Sequence, residues 1–358
     1  MSAPALRRPV AVLGATGAVG QAFIRLLDGH PWFELAEVAA SERSAGKSYR
    51  DATHWLEGVM PDAAAGLPVT LCDPAHVRSS IVFSALDSSV AGEVEAAFAA
   101  AGRMVLSNAK NYRMADDVPL VVPEVNGDHL ALLAEQRIAR GWRGGIVTNA
   151  NCAVTVMAMA LAPLHEVFGI QRVFASTMQA VSGAGYPGVA SLDILGNVIP
   201  YISDEEPKIE AELRKLLGRL EGGAVSPATI VCSAHANRVP VEHGHTVCMS
   251  VGFERAPTPE QASVVLRDWK GYEAVQGLPS APSPALIVSE AANRPQPRRD
   301  AMAGRGMAVT IGRVRPDNLF DLRLVAMCHN VIRGAAGGSI LNAELLLSTG
   351  QLSASPAA

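Results

Sequence analysis

Cys152 is the residue whose surroundings in the sequence most clearly suggest covalent chemistry. It lies in the segment TNANCAVT (148–155), directly before an apolar stretch with helical character. A cysteine at a helix N-terminus is expected to have a lowered thiol pKa and so to be available as a thiolate nucleophile. The amide of Asn151 beside it could stabilise an oxyanion. Without such a context a cysteine is more often a small buried residue, and we interpret the other four in this way: Cys72, Cys232, Cys248 and Cys328.

A second group of reactive residue types lies in the segment NRVPVEHGH (237–245). A histidine here could act as acid or base towards a thiol. The guanidinium of Arg238 could bind a carboxylate with two hydrogen bonds. The residues alone do not choose between His243 and His245 as the acid/base.

A glycine-rich segment, GATGAVG (14–20), follows the apolar run 10–13 and precedes a helical pattern over 21–27. Glycines between a strand and a helix permit a tight turn and let a pyrophosphate approach the backbone, while the helix N-terminus offers free N–H groups. The GxxGxxG pattern in this position therefore predicts dinucleotide binding. The alternative is a turn whose glycines serve close packing alone.

The segment after the second predicted strand, SERSAGK (41–47), bears on the choice of cofactor. An NAD-binding protein is expected to place a carboxylate here, against the ribose 2′-hydroxyl. Two hydroxyls and two cations, Arg43 and Lys47, could instead hold a 2′-phosphate, which favours NADP. Glu42 leaves NAD open, and a solvated loop that binds nothing is the remaining alternative.

The elements that must position these segments follow from the hydrophobic pattern. Up to about residue 150, predicted strands alternate with helices, which indicates a doubly wound parallel sheet. The predicted strands of this part are 10–13, 35–40, 80–86, 104–107 and 120–122.

The second half of the chain has a different texture, because several strands from residue 172 onward alternate apolar and polar positions as half-covered antiparallel sheets do. This predicts a mixed α+β domain. Its predicted strands are 173–180, 229–234, 246–254, 285–288, 308–314 and 322–327, and its predicted helices are 154–167 and 205–217. A last helix within 334–347 could pack on the first domain, and we expect the final residues, 353–358, to be loose.

Composition excludes several classes of protein. Hydrophobic residues make up 49% of the 358 residues and charged residues 18%, with a net charge of 30 − 34 = −4. These values are typical of a globular chain, and they disfavour a disordered protein or a nucleic-acid binder. The five cysteines are widely spaced without a CxxC pair, so we expect no disulfide framework, no metal site and a cytoplasmic location. The longest near-apolar run, 153–164, is far short of the ~20 residues that span a bilayer, so no membrane association is expected.

Ten segments in a fixed order carry a resemblance that covers residues 10–347. They are GATGAVG (14–20), SERSAGK (41–47), VFSAL (82–86), SNAKNYRM (107–114), VPEVN (122–126), NANC (149–152), TMQAVSGAG (177–185), PYISDEEPKIEAELRKLLG (200–218), NRVPVEHGHT (237–246) and HNVIRGAAGGSILNAELL (329–346). With these segments the chain resembles the aspartate-semialdehyde dehydrogenase family, in its archaeal and fungal branch.

The resemblance implies an α/β fold, with a Rossmann-like doubly wound parallel sheet and an α+β substrate and dimerisation domain. The implied boundaries are 1–151 for the NADP-binding domain, 152–329 for the second domain, and 330–358 for a C-terminal helix that returns to the first. It also implies NADP as cofactor, no metal, a small-molecule substrate with inorganic phosphate, and a homodimer or homotetramer.

The family's site residues can be placed on this sequence. Cys152 matches the nucleophile and His245 the acid/base, with Gln179 as an orienting amide and Asn151 beside the nucleophile. Arg238 and Glu205 resemble the contacts to the substrate's carboxylate and ammonium, and Lys208 and Arg113 the phosphate-binding cations. The implied cofactor contacts are Gly14, Thr16, Gly17, Ala18, Val19, Gly20, Ser41, Arg43, Ser44, Ser84, Ala85, Leu86, Ser182, Gly183 and Asn330.

The implied reaction is the reversible, NADP-dependent reductive dephosphorylation of 4-aspartyl phosphate to L-aspartate 4-semialdehyde through a Cys152 thioester. In the oxidative direction His245 would take the thiol proton. An acyl-CoA reductase, such as the malonyl-CoA reductases that resemble this branch, is the alternative, but Glu205 suits the ammonium of an amino acid. A non-catalytic NADP-binding sensor is a third possibility. Without the resemblance, Glu205 and Lys208 would be interpreted as a surface ion pair at a helix start.

Overall fold

Seven parallel strands form the sheet of the N-terminal part in the computed structural model, which describes residues 7–352. The strands are β1 (Arg8–Leu13), β2 (Phe33–Ala40), β3 (Val69–Leu71), β4 (Ile81–Ser84), β5 (Met104–Ser107), β6 (Leu120–Val121) and β7 (Gly145–Asn149). Their order is β3-β2-β1-β4-β5-β7-β6. The strand order reverses between β1 and β4, and ligands of such sheets bind at the carboxyl ends of the strands at this point.

The strands of the second part are β8 (Ile170–Gln179), β9 (Arg219–Glu221), β10 (Ala224–Ser226), β11 (Val231–Arg238), β12 (His245–Phe253), β13 (Leu286–Ser289), β14 (Val309–Pro316) and β15 (Leu322–Cys328). Six of them form one sheet in the order β11-β8-β12-β15-β14-β13, while β9 and β10 form a separate hairpin. The expected antiparallel pairing holds for most of this sheet, but β8 pairs with β11, and β13 with β14, in parallel. The α/β two-domain class is confirmed.

Twelve helices lie among the described residues. They are α1 (Ala18–Leu27), α2 (Tyr49–Ala52), α3 (Asp62–Ala65), α4 (Ser88–Ala100), α5 (Pro123–Asn126), α6 (Leu132–Arg140), α7 (Cys152–Phe168), α8 (Ser191–Ile194), α9 (Glu205–Leu216), α10 (Pro259–Asp268), α11 (Pro297–Asp300) and α12 (Gly337–Ser348). A π-helical turn, Ile332–Ala336, leads directly into α12.

Two helices connect the site to the cores. Residues 153–164 of α7 are buried in the core of the second part, together with the inner faces of β8, β12 and β15. Helix α12 packs in the core of the first sheet, where Ile340 and Leu341 lie with Val10 and Leu106. The boundaries 151/152 and 329/330 stay predictions, and the tail expected to be loose, 353–358, lies outside the described residues.

Local signals explain two elements that the hydrophobic pattern does not predict. The β9–β10 hairpin turns at Gly222 and Gly223, which both have positive φ, as the favoured two-residue hairpin turn requires. Helix α10 begins with a capping box between Thr258 and Gln261. Within residues 7–352, no helix is long and apolar enough to cross a membrane.

Candidate active site

The glycine segment forms the turn between β1 and α1. A Cβ at Gly14 would lie 2.6 Å from the carbonyl oxygen of Ala85, and one at Gly20 would lie 2.3 Å from the carbonyl oxygen of Gly14. Helix α1 begins at Ala18 without a side-chain cap at Gly17, so its first N–H groups are available to an anion. The turn therefore fits a pyrophosphate. Four predicted cofactor contacts are half-buried on it: Gly14, Thr16, Ala18 and Val19.

The loop after β2 holds the predicted contacts to the adenosine end of the cofactor. Ser41 and Arg43 are exposed, and Ser44 is half-buried. None of the three lines the cavity at Cys152. This separation is expected if the loop meets the adenosine end of a dinucleotide whose reactive ring lies near the thiol.

Ser84 is placed differently from its prediction as a cofactor contact. It is fully buried at the end of β4, and its carbonyl oxygen accepts hydrogen bonds from the backbone and side-chain amides of Asn108, each at 3.1 Å. Ala85 packs against Gly14, and Leu86 lines the cavity that contains Cys152. These two residues are the members of the predicted triplet that can face a cofactor.

Cys152 is the first residue of α7, and Asn151 caps that helix. The Asn151 Oδ1 atom accepts from the backbone N–H groups of Ala153 (2.8 Å) and Val154 (3.2 Å). The π-helical turn packs on the thiol residue so closely that a Cβ at Gly334 would lie 2.6 Å from the Cys152 Cβ. Asn151 is thus a cap that holds the nucleophile's backbone, and its Oδ1 is fully used.

The electrostatics of Cys152 contradict the predicted lowering of its pKa. Burial, and then the carboxylate of Glu205, raise the pKa of the Cys152 thiol to about 12, although Arg113 and Arg238 lower it by smaller amounts. Loss of hydration outweighs the helix N-terminus. The resting group is therefore a thiol.

His245 begins β12 and is fully buried. Its Nδ1 atom accepts a hydrogen bond from the backbone N–H of Ala180 at 3.1 Å, and its buried Nε2 atom has no partner among the described residues. Burial, and then the charge of Arg238, lower the pKa of His245 to about 3. The ring is therefore neutral with its proton on Nε2. This makes Nε2 a donor, whereas the predicted role required it to accept the thiol proton.

The structure distinguishes the two candidate histidines. His243 is partly exposed, stacks on the ring of His329 at 4.6 Å, and contacts the Ser182 Oγ atom through Nδ1 at 3.0 Å. Like His245, it is not among the residues that line the cavity at Cys152. His245 instead lies against Gly183, where a Cβ would be 3.0 Å from its Nε2 atom. We therefore favour His245 as the reacting histidine.

Glu205 connects two amides of the site. One of its carboxylate oxygens accepts from Asn151 Nδ2 (2.8 Å) and from Gln179 Nε2 (2.9 Å), and the carboxylate is almost fully buried. Within residues 7–352 no ion pair joins Glu205 to Lys208, whose Nζ atom lies 3.4 Å from the carbonyl oxygen of Ser203. The surface ion-pair interpretation is therefore wrong.

Arg238 is the last residue of β11. It is buried, and its Nη1 atom donates to the carbonyl oxygen of Ala180 at 2.8 Å. Its charge acts on both Cys152 and His245. A guanidinium in this place can bind the carboxylate of a substrate held at the thiol.

A cavity of about 360 Å³ brings the predicted groups together. It contains the thiol residue, the two predicted phosphate-binding cations, and the predicted cofactor contacts from the second part of the chain. These residues are Cys152, Arg113, Lys208, Ser182, Gly183 and Asn330. Asn330 is fixed by donating to the Ser182 Oγ atom (2.8 Å) and accepting from the Gly244 N–H (2.9 Å). The predicted nucleophile, the predicted phosphate-binding cations and these predicted cofactor contacts therefore share one space. The residues that line it do not include Gln179, Glu205, Arg238 or His245.

Sequence reasoning missed several charged residues at this cavity. Lys110 lines it beside Arg113. Glu212 and Lys215 on α9 are buried and bonded to the segment that carries Arg113. The signal was available, because Glu205, Lys208, Glu212 and Lys215 recur at helical spacing and so share one face of α9.

Comparisons with known proteins show the family to which the chain belongs. The family model described as "Semialdehyde dehydrogenase, NAD binding domain" matches residues 9–133, and the one described as "Semialdehyde dehydrogenase, dimerisation domain" matches residues 161–333. An aspartate-semialdehyde dehydrogenase from Archaeoglobus fulgidus is 49% identical over 343 residues, which cover 96% of this chain and 98% of the relative. The chain belongs to the aspartate-semialdehyde dehydrogenase family. Its activity is that of an aspartate-semialdehyde dehydrogenase, an oxidoreductase of aspartate-family amino-acid biosynthesis.

Further members of the family extend the comparison. An aspartate-semialdehyde dehydrogenase from Trichophyton rubrum is 47% identical over 361 residues, covering 98% of this chain and 99% of the relative. The crystal structure of aspartate semialdehyde dehydrogenase with NADP from Candida albicans superimposes with a TM-score of 0.89 at 41% identity, covering 97% of this chain and all of that one. The aspartate semialdehyde dehydrogenase II complexed with ASA from Vibrio cholerae gives 0.76 at 26% identity, over 96% and 99% of the two chains. The first domain of the present chain is an NAD(P)-binding domain.

Proposed function

We propose that the chain uses NADP to interconvert 4-aspartyl phosphate and L-aspartate 4-semialdehyde through a thioester on Cys152. The observation that carries this proposal is the single cavity that contains Cys152 together with Arg113 and Lys208. A thiol beside two cations suits a substrate whose acyl group is attached to phosphate. When bound, NADPH would supply the hydride in the reductive direction, and NADP⁺ would accept it in the oxidative one.

The first step in the reductive direction is acyl transfer to the thiol. Cys152 attacks the acyl carbon, the bond to the phosphate oxygen breaks, and the phosphate leaves into the site of Arg113 and Lys208. The leaving phosphate takes the thiol proton and departs as HPO₄²⁻, so the step requires no protein base. Because the leaving phosphate takes the proton, the step can begin from the thiol, which is the form that the raised pKa of Cys152 favours.

His245 acts in this proposal as a hydrogen-bond donor. Its Nε2 proton is fixed by the bond from Ala180 to Nδ1, and that donor is buried without a partner among the described residues. A fixed donor in a dry site stabilises the oxyanion that develops on the acyl oxygen. This assignment replaces proton abstraction from the thiol.

The substrate's amino-acid end is held by opposite charges. Arg238 binds the carboxylate, and Glu205 binds the ammonium with the carboxylate oxygen that does not accept from Asn151 and Gln179. The Gln179 amide is fixed by Glu205 and lies beside Thr177 Oγ1 at 3.4 Å, and it orients the acyl group.

Cofactor choice, assembly and location complete the proposal. The exposed Arg43 in the loop after β2 favours NADP, as does the solved relative with NADP from Candida albicans.

The match to a dimerisation domain supports a homodimer or homotetramer, and partly exposed Phe174 and exposed Val231 on β8 and β11 offer apolar surface for it. All five cysteines are unpaired, which suits the reducing cytoplasm.

The decisive test is phosphate-dependent reduction of NADP⁺ with L-aspartate 4-semialdehyde. Wild-type protein should turn over only with phosphate present, and Cys152→Ser should lose about 10³-fold or more of kcat. Cys248→Ser, which changes an exposed cysteine outside the cavity, is the matched control and should keep wild-type rates. Normal turnover by Cys152→Ser, or activity on malonyl-CoA or succinyl-CoA alone, would overturn the proposal.

A further inference from the structure

Glu212 makes two contacts that no other part of the proposed mechanism explains. Its side chain on α9 is 2% exposed. One carboxylate oxygen accepts from Arg113 Nη1 at 3.0 Å, and the other accepts from the backbone N–H of Asn151 at 2.6 Å. A single carboxylate therefore joins the phosphate-binding cation to the residue that precedes the nucleophile.

These two contacts fix a spacing within the cavity. Asn151 caps the helix that begins at Cys152, so its backbone position sets the position of the thiol. Arg113 is held at two points, by Glu212 and by the carbonyl oxygen of Asn108, which accepts from Nη2 at 2.8 Å. The Nε atom of Arg113 is buried without a partner among the described residues. The orientation of the Arg113 guanidinium therefore comes from Glu212 and Asn108. Its remaining N–H groups are available to an anion.

The same helix also holds the backbone that carries Arg113. Lys215, three residues after Glu212, donates through Nζ to the carbonyl oxygens of Arg113 (2.9 Å), Ala115 (2.7 Å) and Val118 (2.9 Å). Lys215 is buried, and burial lowers its pKa to about 8. Helix α9 thus fixes the cation twice, at its main chain through Lys215 and at its guanidinium through Glu212.

We propose that Glu212 is a positioning residue that sets the distance between the phosphate site at Arg113 and the thiol of Cys152. It acts through Arg113 and Asn151 and does not line the cavity itself. Acyl transfer to or from phosphate requires the phosphorus-bound oxygen and the thiol to approach one carbon, and misplacing either group slows that step. The proposal rests on the phosphate-dependent function proposed above.

The test is Glu212→Gln, which keeps the size of the side chain but replaces one accepting oxygen by an NH₂ group. That group then faces an N–H donor of Arg113 or Asn151. We expect the KM for phosphate to rise about tenfold and kcat to fall, since a charged hydrogen bond is lost. The KM for NADP⁺ and the dissociation constant of NADPH should change less than about twofold, because the glycine turn is untouched. Glu210→Gln, on the same helix and only partly buried, is the matched control and should leave all constants unchanged.

A double-mutant cycle separates positioning from general loss of structure. If Glu212 acts through Arg113, Glu212→Gln should have little further effect on the phosphate KM in the Arg113→Ala background. The proposal would be overturned if the two substitutions had additive effects on the phosphate KM. It would also be overturned if the KM values for phosphate, NADP⁺ and L-aspartate 4-semialdehyde rose equally. Should Glu212→Gln bind no NADPH, the same cycle is run with Glu212→Asp, which keeps the charge with a shorter reach. Failure of wild-type protein to require phosphate would refute the proposed function itself, so the two failures are distinguishable.

Discussion

Two regions of the molecule, the glycine turn and the cluster around Cys152, are built in different ways. The cluster comprises Cys152, Gln179, Glu205, Arg238 and His245, and Cys152 is its member that lines the cavity described above. The turn is made by backbone contacts within residues 14–20 and with two neighbouring strands, at Ala39 of β2 and at Ala85 directly after β4. The cluster is made by side chains that are far apart in sequence. Gln179 and Glu205 are 26 residues apart, and Ala180 and His245 are 65 residues apart.

This difference indicates which changes each region tolerates. The turn depends on the absence of side chains, so adding a single carbon damages it. The cluster depends on burial and on charges brought in by other elements, so its chemistry responds to solvent exposure and to pH. Three predictions test this comparison.

The largest effect is expected for the reactivity of Cys152 towards iodoacetamide. Because burial raises the thiol pKa to about 12, the thiolate fraction should grow about tenfold per pH unit. Alkylation at Cys152, followed by mass spectrometry in the Cys248→Ser background, should therefore accelerate about 100-fold between pH 7 and pH 9.

The carboxylate of Glu205 sharpens that prediction. Since Glu205 raises the pKa of Cys152, Glu205→Gln should shift the alkylation profile to lower pH. A plateau of the wild-type rate below pH 8 would contradict the assignment, because it would mean that the local helix N-terminus, and not burial, controls the thiol.

The next effect concerns the glycine turn. Gly20→Ala would place a Cβ 2.3 Å from the carbonyl oxygen of Gly14, and such overpacking costs about 1–3 kcal/mol. Thermal unfolding should show a lowered Tm, and NADPH titration should show weakened binding. Gly66→Ala is the control, because nothing lies within 4 Å of its Cβ position and its φ is −91°. Equal behaviour of the two variants would show that the turn is not tightly packed.

The smallest effect is expected at the loop after β2. Arg43→Ala should weaken NADPH binding about tenfold, the loss of one charge-assisted hydrogen bond, and leave NADH binding unchanged. Arg50→Ala, an exposed cation on α2, is the control. Binding is measured by fluorescence titration with both cofactors. An equal loss of affinity for NADPH and NADH would contradict the assignment of Arg43 as a contact to the 2′-phosphate.

Sequence reasoning succeeded where the signal is local. The glycine segment is recognisable because its turn, its helix start and its preceding strand are contiguous. Cys152 is recognisable because it begins a helix whose apolar residues follow directly. The pKa of that cysteine is not recognisable, because its local position favours a thiolate while burial among distant elements favours the thiol.

The same limit explains the other differences. Glu205 and Lys208 have the spacing of a surface ion pair, but the fold buries Glu205 against the amides of Asn151 and Gln179. His243 and His245 are equivalent in sequence, but His243 lies in the bend before β12, whereas His245 begins the strand after Gly244, whose φ is +107°, and is fully buried. Ser84 lies in a matching segment, but the strand end places its side chain inside the protein.

By itself, the sequence determined the strand–turn–helix of the glycine segment, the position of Cys152 at a helix start, and the two-domain α/β class, because these depend on short-range periodicity and backbone preference. The tertiary structure decided which of the two histidines is buried against Gly183, which nitrogen of His245 carries the proton, the pKa of Cys152, and the link from Glu212 to Arg113 and Asn151. The physical reason is that hydration, Coulomb interactions and hydrogen bonds act through space. Their strength depends on neighbours that the chain brings together only after folding.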